Sequence, residues 1–397
     1  MIDREQKVTI ERLEEGNHQR ILAVQDTTSF NFGHHKATEG LGVIENNRSA
    51  GFFAHSTLAV SDEGVPLGLF SQDVWRRAKK QGKGKKSNAH QSLPITEKES
   101  MKWLNGLYET QASPVQVIVV ADREADIYEL FQEAKRTGTD YVVRATHNRC
   151  LKESPKLFET LDACEFEATF DLEVTRQANQ EARIAELGIR YTSVTLLPPK
   201  NRSKDLQVIE LTPLNINVVE VIELDVPDGI EPVHWFLLTT LAVDTLAEAK
   251  EIVRFYTYRW VVERFHYILK SGCRFEDSQL KSYEALTRFL ALCSHQAWHL
   301  LELTYQARVT PDAPCDSFLT PEQWQALQAH QTGQAILFSQ CPTLEEACHY
   351  IARLGGFIGR NSDGQPGVKV LWRGWQRLQD LVAMWNIFHP PKDVGNV

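Results

Sequence analysis

The residues Val115-Gln116-Val117-Ile118-Val119-Val120-Ala121-Asp122-Arg123-Glu124 decide how this chain folds. The valine-rich run from Val115 to Val120 has the composition of a strand buried on both faces. It closes at Asp122, and from Glu124 to about Lys135 the pattern turns helical. Taken alone, Asp122 reads as an N-cap, because an aspartate that ends a strand and opens a helix satisfies free N–H groups of the first turn.

Upstream, Arg20-Ile21-Leu22-Ala23-Val24-Gln25 reads as a second buried strand, running into Asp26-Thr27-Thr28. His55–Val60 and Val65–Phe70 flank the turn cluster Ser61-Asp62-Glu63-Gly64, which predicts two further strands. A helix is expected from Thr96 to Glu109, with Thr96 as N-cap and Glu99 completing a capping box. Downstream, Asp140-Tyr141-Val142-Val143-Arg144 is another strand. The order strand-strand-strand-helix-strand-helix-strand is that of an α/β, RNase H-like core, in which the first and fourth strands each present a carboxylate. The helix that should bring a third is delayed. From about 148 to 235, apolar and polar residues alternate, as in Phe166–Val174, and this segment reads as a β-rich insertion. Trp235–Thr240 forms its closing strand, and one helix is expected from Leu246 to Lys270. The chain thus divides into a core beginning at 1–147, the insertion 148–235, the core's last helix within 236–282, and an all-helical region at 283–397.

The length of 397 residues, with 42% hydrophobic and 24% charged residues, suits a soluble protein with a large core. No apolar run approaches the roughly 20 residues of a membrane span, and the first residues lack a signal-peptide core, so a cytoplasmic location is expected. Seven cysteines without a CxxC pair read as reduced, packed thiols. The net charge of −9 argues against a uniformly basic surface but leaves room for a local one, such as the cluster of Lys and Arg between Arg76 and Lys86.

On the helix expected at 246–270, the 100° step per residue brings Tyr256, Arg259, Glu263 and Lys270 within roughly 60° of one another. Phe255, Val261, Val262, Phe265, Ile268 and Leu269 gather on the other side, the core face. The polar stripe reads either as a solvated face with an Arg259–Glu263 pair or as cations for phosphate beside a carboxylate for metal.

Val24-Gln25-Asp26-Thr27-Thr28, Val120-Ala121-Asp122-Arg123-Glu124-Ala125-Asp126-Ile127-Tyr128, and Tyr256-(two)-Arg259-(three)-Glu263-(six)-Lys270 resemble the three motifs of bacterial insertion-sequence transposases of the DDE class. The last resembles the Y-R-E-K signature of the subgroup with a β-stranded insertion before the catalytic glutamate. Glu97–Trp103 and Ile351–Phe357 extend the likeness over nearly the whole chain. The resemblance implies that Asp26, Asp122 and Glu263 hold two divalent ions, Mg²⁺ with Mn²⁺ as an alternative. One ion would activate a water or 3′-hydroxyl, and the other would stabilise the leaving oxygen. It further implies that Tyr256, Arg259 and Lys270 bind phosphates, that Trp235 stacks on a flipped base, and that Arg144 contacts DNA. The reaction implied is cut-and-paste transposition through a hairpin on the transposon end. The partners are transposon-end and target DNA and a second subunit.

Two features leave other readings open. Only 25 residues precede Asp26, where the family carries a helical end-recognition region, so a truncated regulator or inhibitor of transposition is an alternative, as is a general RNase H-like nuclease. Near the C-terminus, Leu371, Trp375, Leu378, Val382 and Trp385 recur at steps of four and three, the spacing of a helix–helix seam, before Pro390-Pro391. The stripe predicts either subunit pairing on DNA through this last helix or packing against the chain's own helices.

Overall fold

The computed structural model describes residues 2–45, 48–78, 93–153, 156–174, 183–200, 212–360 and 363–390. The basic segment from Lys79 to Lys86 lies outside these residues. Strand β1 (Arg20–Asn31) pairs antiparallel with β3 (Ser49–Ser61), which carries the short β2 (Gly42–Ile44) and the longer β4 (Pro66–Trp75) along its other edge. On its second side β1 pairs in parallel with β5 (Gln116–Ala121), and β5 in parallel with β6 (Asp140–Arg144). The resulting order β4-β3-β1-β5-β6 is that of an RNase H-like core.

Among the described residues, the insertion does not form a separate sheet. Strands β7 (Ala168–Val174), β8 (Arg183–Leu196), β9 (Leu214–Glu223) and β10 (His234–Thr239) pair antiparallel in sequence, and β10 joins β6. Core and insertion therefore share one ten-stranded sheet.

Because side chains alternate across a strand, β1 and β5 divide their apolar residues between two layers. Leu22, Val24, Ile118 and Val120 face one core and Ile21, Ala23, Val117 and Val119 the other. The second face is covered by α2 (Met101–Glu109) and α3 (Tyr128–Thr137), with α4 (Leu157–Asp162) beside β8. The first is covered by α5 (Leu246–Thr257), α6 (Trp260–Tyr267) and α7 (Tyr283–Val309). A third core joins α7 to α8 (Pro321–Thr332), α9 (Leu344–Leu354) and α10 (Val368–Phe388). Among the described residues, no helix is long and apolar enough to cross a membrane.

The structure differs from the sequence reading in several places. A helix, α1 (Ile2–Glu15), precedes β1 and packs on β4 and α7, where Glu5 accepts hydrogen bonds from His295 and the Trp298 indole. Gly68 of β4 has φ +157°, and a Cβ there would lie 2.1 Å from the hydroxyl of Thr9 on α1, so only glycine admits this close approach. Thr96 does not cap a helix. It sits in a single 3₁₀ turn, Ile95–Glu97, and α2 starts only at Met101. The helix expected over 246–270 is broken, because Tyr258, Arg259 and Val261 donate to the carbonyls three residues back. That tighter turn separates α5 from α6, and α6 ends in a turn of π-helix, Ile268–Gly272.

The C-terminal stripe packs inward. Leu371, Trp375, Leu378 and Trp385 are buried, and Val382 is partly buried against the same core. Two glycines explain the arrangement. A Cβ on Gly374 would lie 1.7 Å from the Ile351 carbonyl, and one on Gly355 would lie 1.8 Å from that of Val370. The backbones of α9 and α10 touch there, so the stripe is spent within the chain.

Candidate active site

The parallel pairing of β1 with β5 ends at Gln25 opposite Ala121. Asp26 and Asp122 follow side by side, and the alternation that turns Val24 and Val120 toward the first core puts both carboxylates on that face. β1 does not stop at Asp26, as the sequence reading had it, but continues to Asn31 against β3, with Asp26 opposite Ser56. Asp26 thus stands in a fixed strand at the point where its other neighbour leaves off. Its Oδ1 accepts the Thr27 N–H at 2.7 Å. The Thr27 side chain is held in turn by His55 at 2.9 Å. Asp122 opens a 3₁₀ turn, Arg123–Ala125, and its Oδ1 accepts the Glu124 N–H at 2.9 Å. The capping role expected of a lone aspartate is filled by one oxygen.

Glu263 lies on α6, which crosses β1 and β3. Burial pushes the Asp26 pKa up to about 7; Arg259 draws it down, while the charges of Asp122 and Glu263 raise it further. The charges of Asp122 and Glu263 are therefore both felt at Asp26. As placed, Glu263 is ion-paired with Arg259, the pair expected of a helix face. Among the described residues no three His, Cys, Asp or Glu side chains stand close enough to grip one ion. The donor chemistry nonetheless fits hard divalent cations, which take carboxylate oxygens, and a positive charge beside Asp26 would offset the burial and the neighbouring negative charges that oppose its ionisation.

The break before α6 turns the polar stripe inward. Tyr256 is 2% exposed and Arg259 8%. The Tyr256 ring meets Trp235 edge-on at 4.9 Å, and its hydroxyl bonds Arg144. Tyr256 thus backs a cavity of about 540 Å³ that Arg144, Trp235 and Arg259 line directly. Lys270, on the π-helical turn, lies 5.8 Å from the Phe30 ring, four residues beyond Asp26 on the same face of β1. That is roughly 13 Å along the strand at 3.3 Å per residue.

Several residues here escaped the sequence reading. Arg123, Arg183, Trp260 and Arg264 also line the cavity, whose acidic residues are Glu173 and Glu231. Arg123 and Arg264 adjoin Asp122 and Glu263, and that adjacency was the available signal. Arg183 comes from β8, far away in sequence, and no local pattern marks it. The third residue after Glu263, His266, lies 3.9 Å through Nδ1 from Asp26 Oδ2. Burial, helped by the charge of Lys270, drives its pKa down to about 3, so the ring is neutral.

Carboxylates just past the point where two parallel strands part, a third on a crossing helix and a basic cavity beside them are the arrangement of an acidic centre in an RNase H-like fold. Residues 102–296 match the family described as transposase DDE domain, and residues 295–386 match the transposase Tn5 dimerisation domain. The chain belongs to the DDE transposases. The first match contains Asp122 and Glu263, whereas Asp26 precedes it. Among solved structures, the chain is similar to one in the cryo-EM structure of the piggyBac transposase synaptic complex with hairpin DNA. Identity is 8% and the TM-score 0.36, over 96% of this chain and 59% of that one.

Proposed function

We propose that the chain is the catalytic part of a DNA transposase, which cleaves transposon ends through a hairpin intermediate and joins them to target DNA by phosphoryl transfer. The observation that supports this reading is the placement of Asp26 and Asp122 on one face of the sheet, beneath the helix that carries Glu263, with the charges of both partners felt at Asp26. Two divalent ions, Mg²⁺ or Mn²⁺, held by these carboxylates would supply positive charge to the attacking and leaving oxygens of an in-line displacement. Glu263 joins them by turning away from Arg259, which frees that guanidinium for a phosphate. Arg144 and Lys270 add further cationic contacts, Trp235 offers a plate for an extruded base, and Tyr256 holds Arg144 and Trp235 from behind. Stacking of this kind contributes roughly 1–3 kcal/mol per base.

Pairing of two copies is supported by the match of residues 295–386 to a dimerisation family. With the Leu371–Trp385 stripe packed inside, the surface left for it on α10 is Met384, Ile387 and Phe388, which are 51%, 68% and 71% exposed and lie on one helical face.

The test is Mg²⁺-dependent nicking of a supercoiled plasmid that carries the DNA flanking the coding sequence on both sides. Asp122→Ala should lower nicking on the order of 10³-fold or more, the loss of several kcal/mol of transition-state stabilisation, with DNA affinity nearly unchanged. Nicking by Asp122→Ala at the wild-type rate would overturn the assignment.

A further inference from the structure

Behind Asp26 runs a buried line of polar side chains that the reaction as described does not use. The Ser294 hydroxyl, on α7, donates to Gln72 Oε1 at 3.0 Å. Gln72 Nε2, on β4, donates to Ser56 Oγ at 3.2 Å. Ser56, on β3 opposite Asp26, meets His266 Nε2 at 3.1 Å. The opposite nitrogen of that ring, Nδ1, is the one facing Asp26 Oδ2 at 3.9 Å. Ser56 and Ser294 are fully buried, and His266 and Gln72 are 5% and 8% exposed.

The donor inventory gives this line a direction. With its carbonyl taken by Ser294, the Gln72 amide can only donate to Ser56. A hydroxyl that accepts from Gln72 keeps one proton to give, and the group beside it is His266 Nε2. A neutral imidazole that accepts at Nε2 carries its proton on Nδ1, the nitrogen turned to Asp26. The three hydrogen bonds then all point toward the carboxylate, and the line ends on an Nδ1–H that faces it at 3.9 Å. Asp26 Oδ1 is already held by the Thr27 N–H, so it is the remaining oxygen, Oδ2, that the ring faces. Stability gives no reason for such a line, because replacing both partners of a buried hydrogen bond by apolar groups of the same shape is nearly neutral.

We propose that Ser294, Gln72 and Ser56 are positioning residues that fix His266 as its Nδ1–H tautomer and so hold the Asp26 carboxylate in one orientation for its ion. The inference rests on the reading of Asp26 as an ion-holding carboxylate. Groups behind metal ligands that set a ring's tautomer typically matter 10–100-fold when removed, and a relay drawn from four elements ties Asp26 to the packing of α7.

The test uses the full chain labelled with ¹⁵N-histidine, the His266 resonances being identified by their loss in His266→Gln. The wild type should give the Nδ1–H pattern, and Gln72→Leu and Ser56→Ala should shift it toward Nε2–H. The same two variants should lose about 10–100-fold in the rate constant for nicking of bound DNA, with DNA affinity close to wild type and a thermal midpoint lowered by the buried partner each leaves unpaired but still above the assay temperature. Ser56→Thr, which keeps the hydroxyl, should restore both tautomer and rate. If Gln72→Leu does not fold, Ser294→Ala breaks the relay at its far end and should produce the same tautomer shift. An Nε2–H tautomer in the wild type, an unchanged tautomer in the variants, or a changed tautomer with full nicking would each overturn the proposal. Full nicking by Asp122→Ala would instead remove the ion-site reading, while the spectra would still decide the relay.

Discussion

Helices α6 and α10 each display a periodic stripe, and they use it in opposite ways. In α6 the apolar side, Val261, Val262 and Phe265, is sunk into the core, and the polar side is turned toward half-buried carboxylates and the arginine-lined cavity. In α10 the apolar stripe that has the spacing of an intersubunit seam is buried against α9 and the rest of the chain's own third core, with Gly374 setting the closeness of the crossing. The two helices also meet, since α10 packs on the π-helical turn that ends α6 and carries Lys270. A stripe tells which side of a helix leaves water. What it packs against depends on elements distant in sequence, and here that difference separates a site from a scaffold.

The largest effect on the scaffold side should come from Trp375→Ala. Trp375 is 5% exposed and donates to Gln296 Oε1 at 3.0 Å, so truncation should cost about 3–5 kcal/mol. Urea unfolding monitored in the C-terminal helices measures this directly. A stability unchanged within error would return the stripe to a role between subunits and erase the contrast with α6.

On the site side, Asp26 titrates near 7 in the fold against 3.8 for an ordinary aspartate. Between these values the folded chain holds a proton that the unfolded chain has released. The contribution of Asp26 to stability is therefore fully present below about pH 4 and is lost as pH rises through 7. In EDTA, Asp26→Asn should gain stability over the wild type as pH goes from 4 to 8, by an amount on the order of 2–4 kcal/mol. A difference in thermal midpoint between variant and wild type that stays the same at both ends of that range would mean that burial and the neighbouring charges do not hold the Asp26 carboxyl protonated.

A smaller change is expected from Arg259→Ala, which removes both the Glu263 pair and a cavity cation. DNA affinity should fall and its dependence on log salt should flatten by about one unit of slope, as read by fluorescence anisotropy. Loss of affinity with the slope intact would make Arg259 a support for α6 and not a phosphate contact.

The smallest effect on the free chain belongs to Ile387→Glu with Phe388→Glu, on exposed positions of α10. Stability should move by no more than about 0.5 kcal/mol, while light scattering of complexes with end DNA should lose the two-subunit species. A pair of subunits that persists on DNA would place the contact elsewhere than on the outer end of α10.

Much of the architecture could be read directly from residue order. The buried runs Arg20–Gln25 and Val115–Val120, the turn at 61–64 and the apolar face of the helix that carries Glu263 depend on local periodicity, and local periodicity is what burial on a sheet or helix imposes. The motifs around Asp26, Asp122 and Glu263 were visible for the same reason, each being a short segment around one carboxylate. Tertiary structure decided the rest. The helix at 246–270 breaks at Arg259 through hydrogen bonds to carbonyls three residues back, and that turn buries Tyr256 where an unbroken helix would have left it on an open stripe. The insertion extends the core sheet because the free edge of β6 accepts β10, a pairing between residues more than ninety positions apart. Arg183 and His266 join the site, and the seam of α10 closes on α9, only through contacts of that long range. Such contacts leave no period in the sequence, because each residue meets its partner through the fold and not through its neighbours.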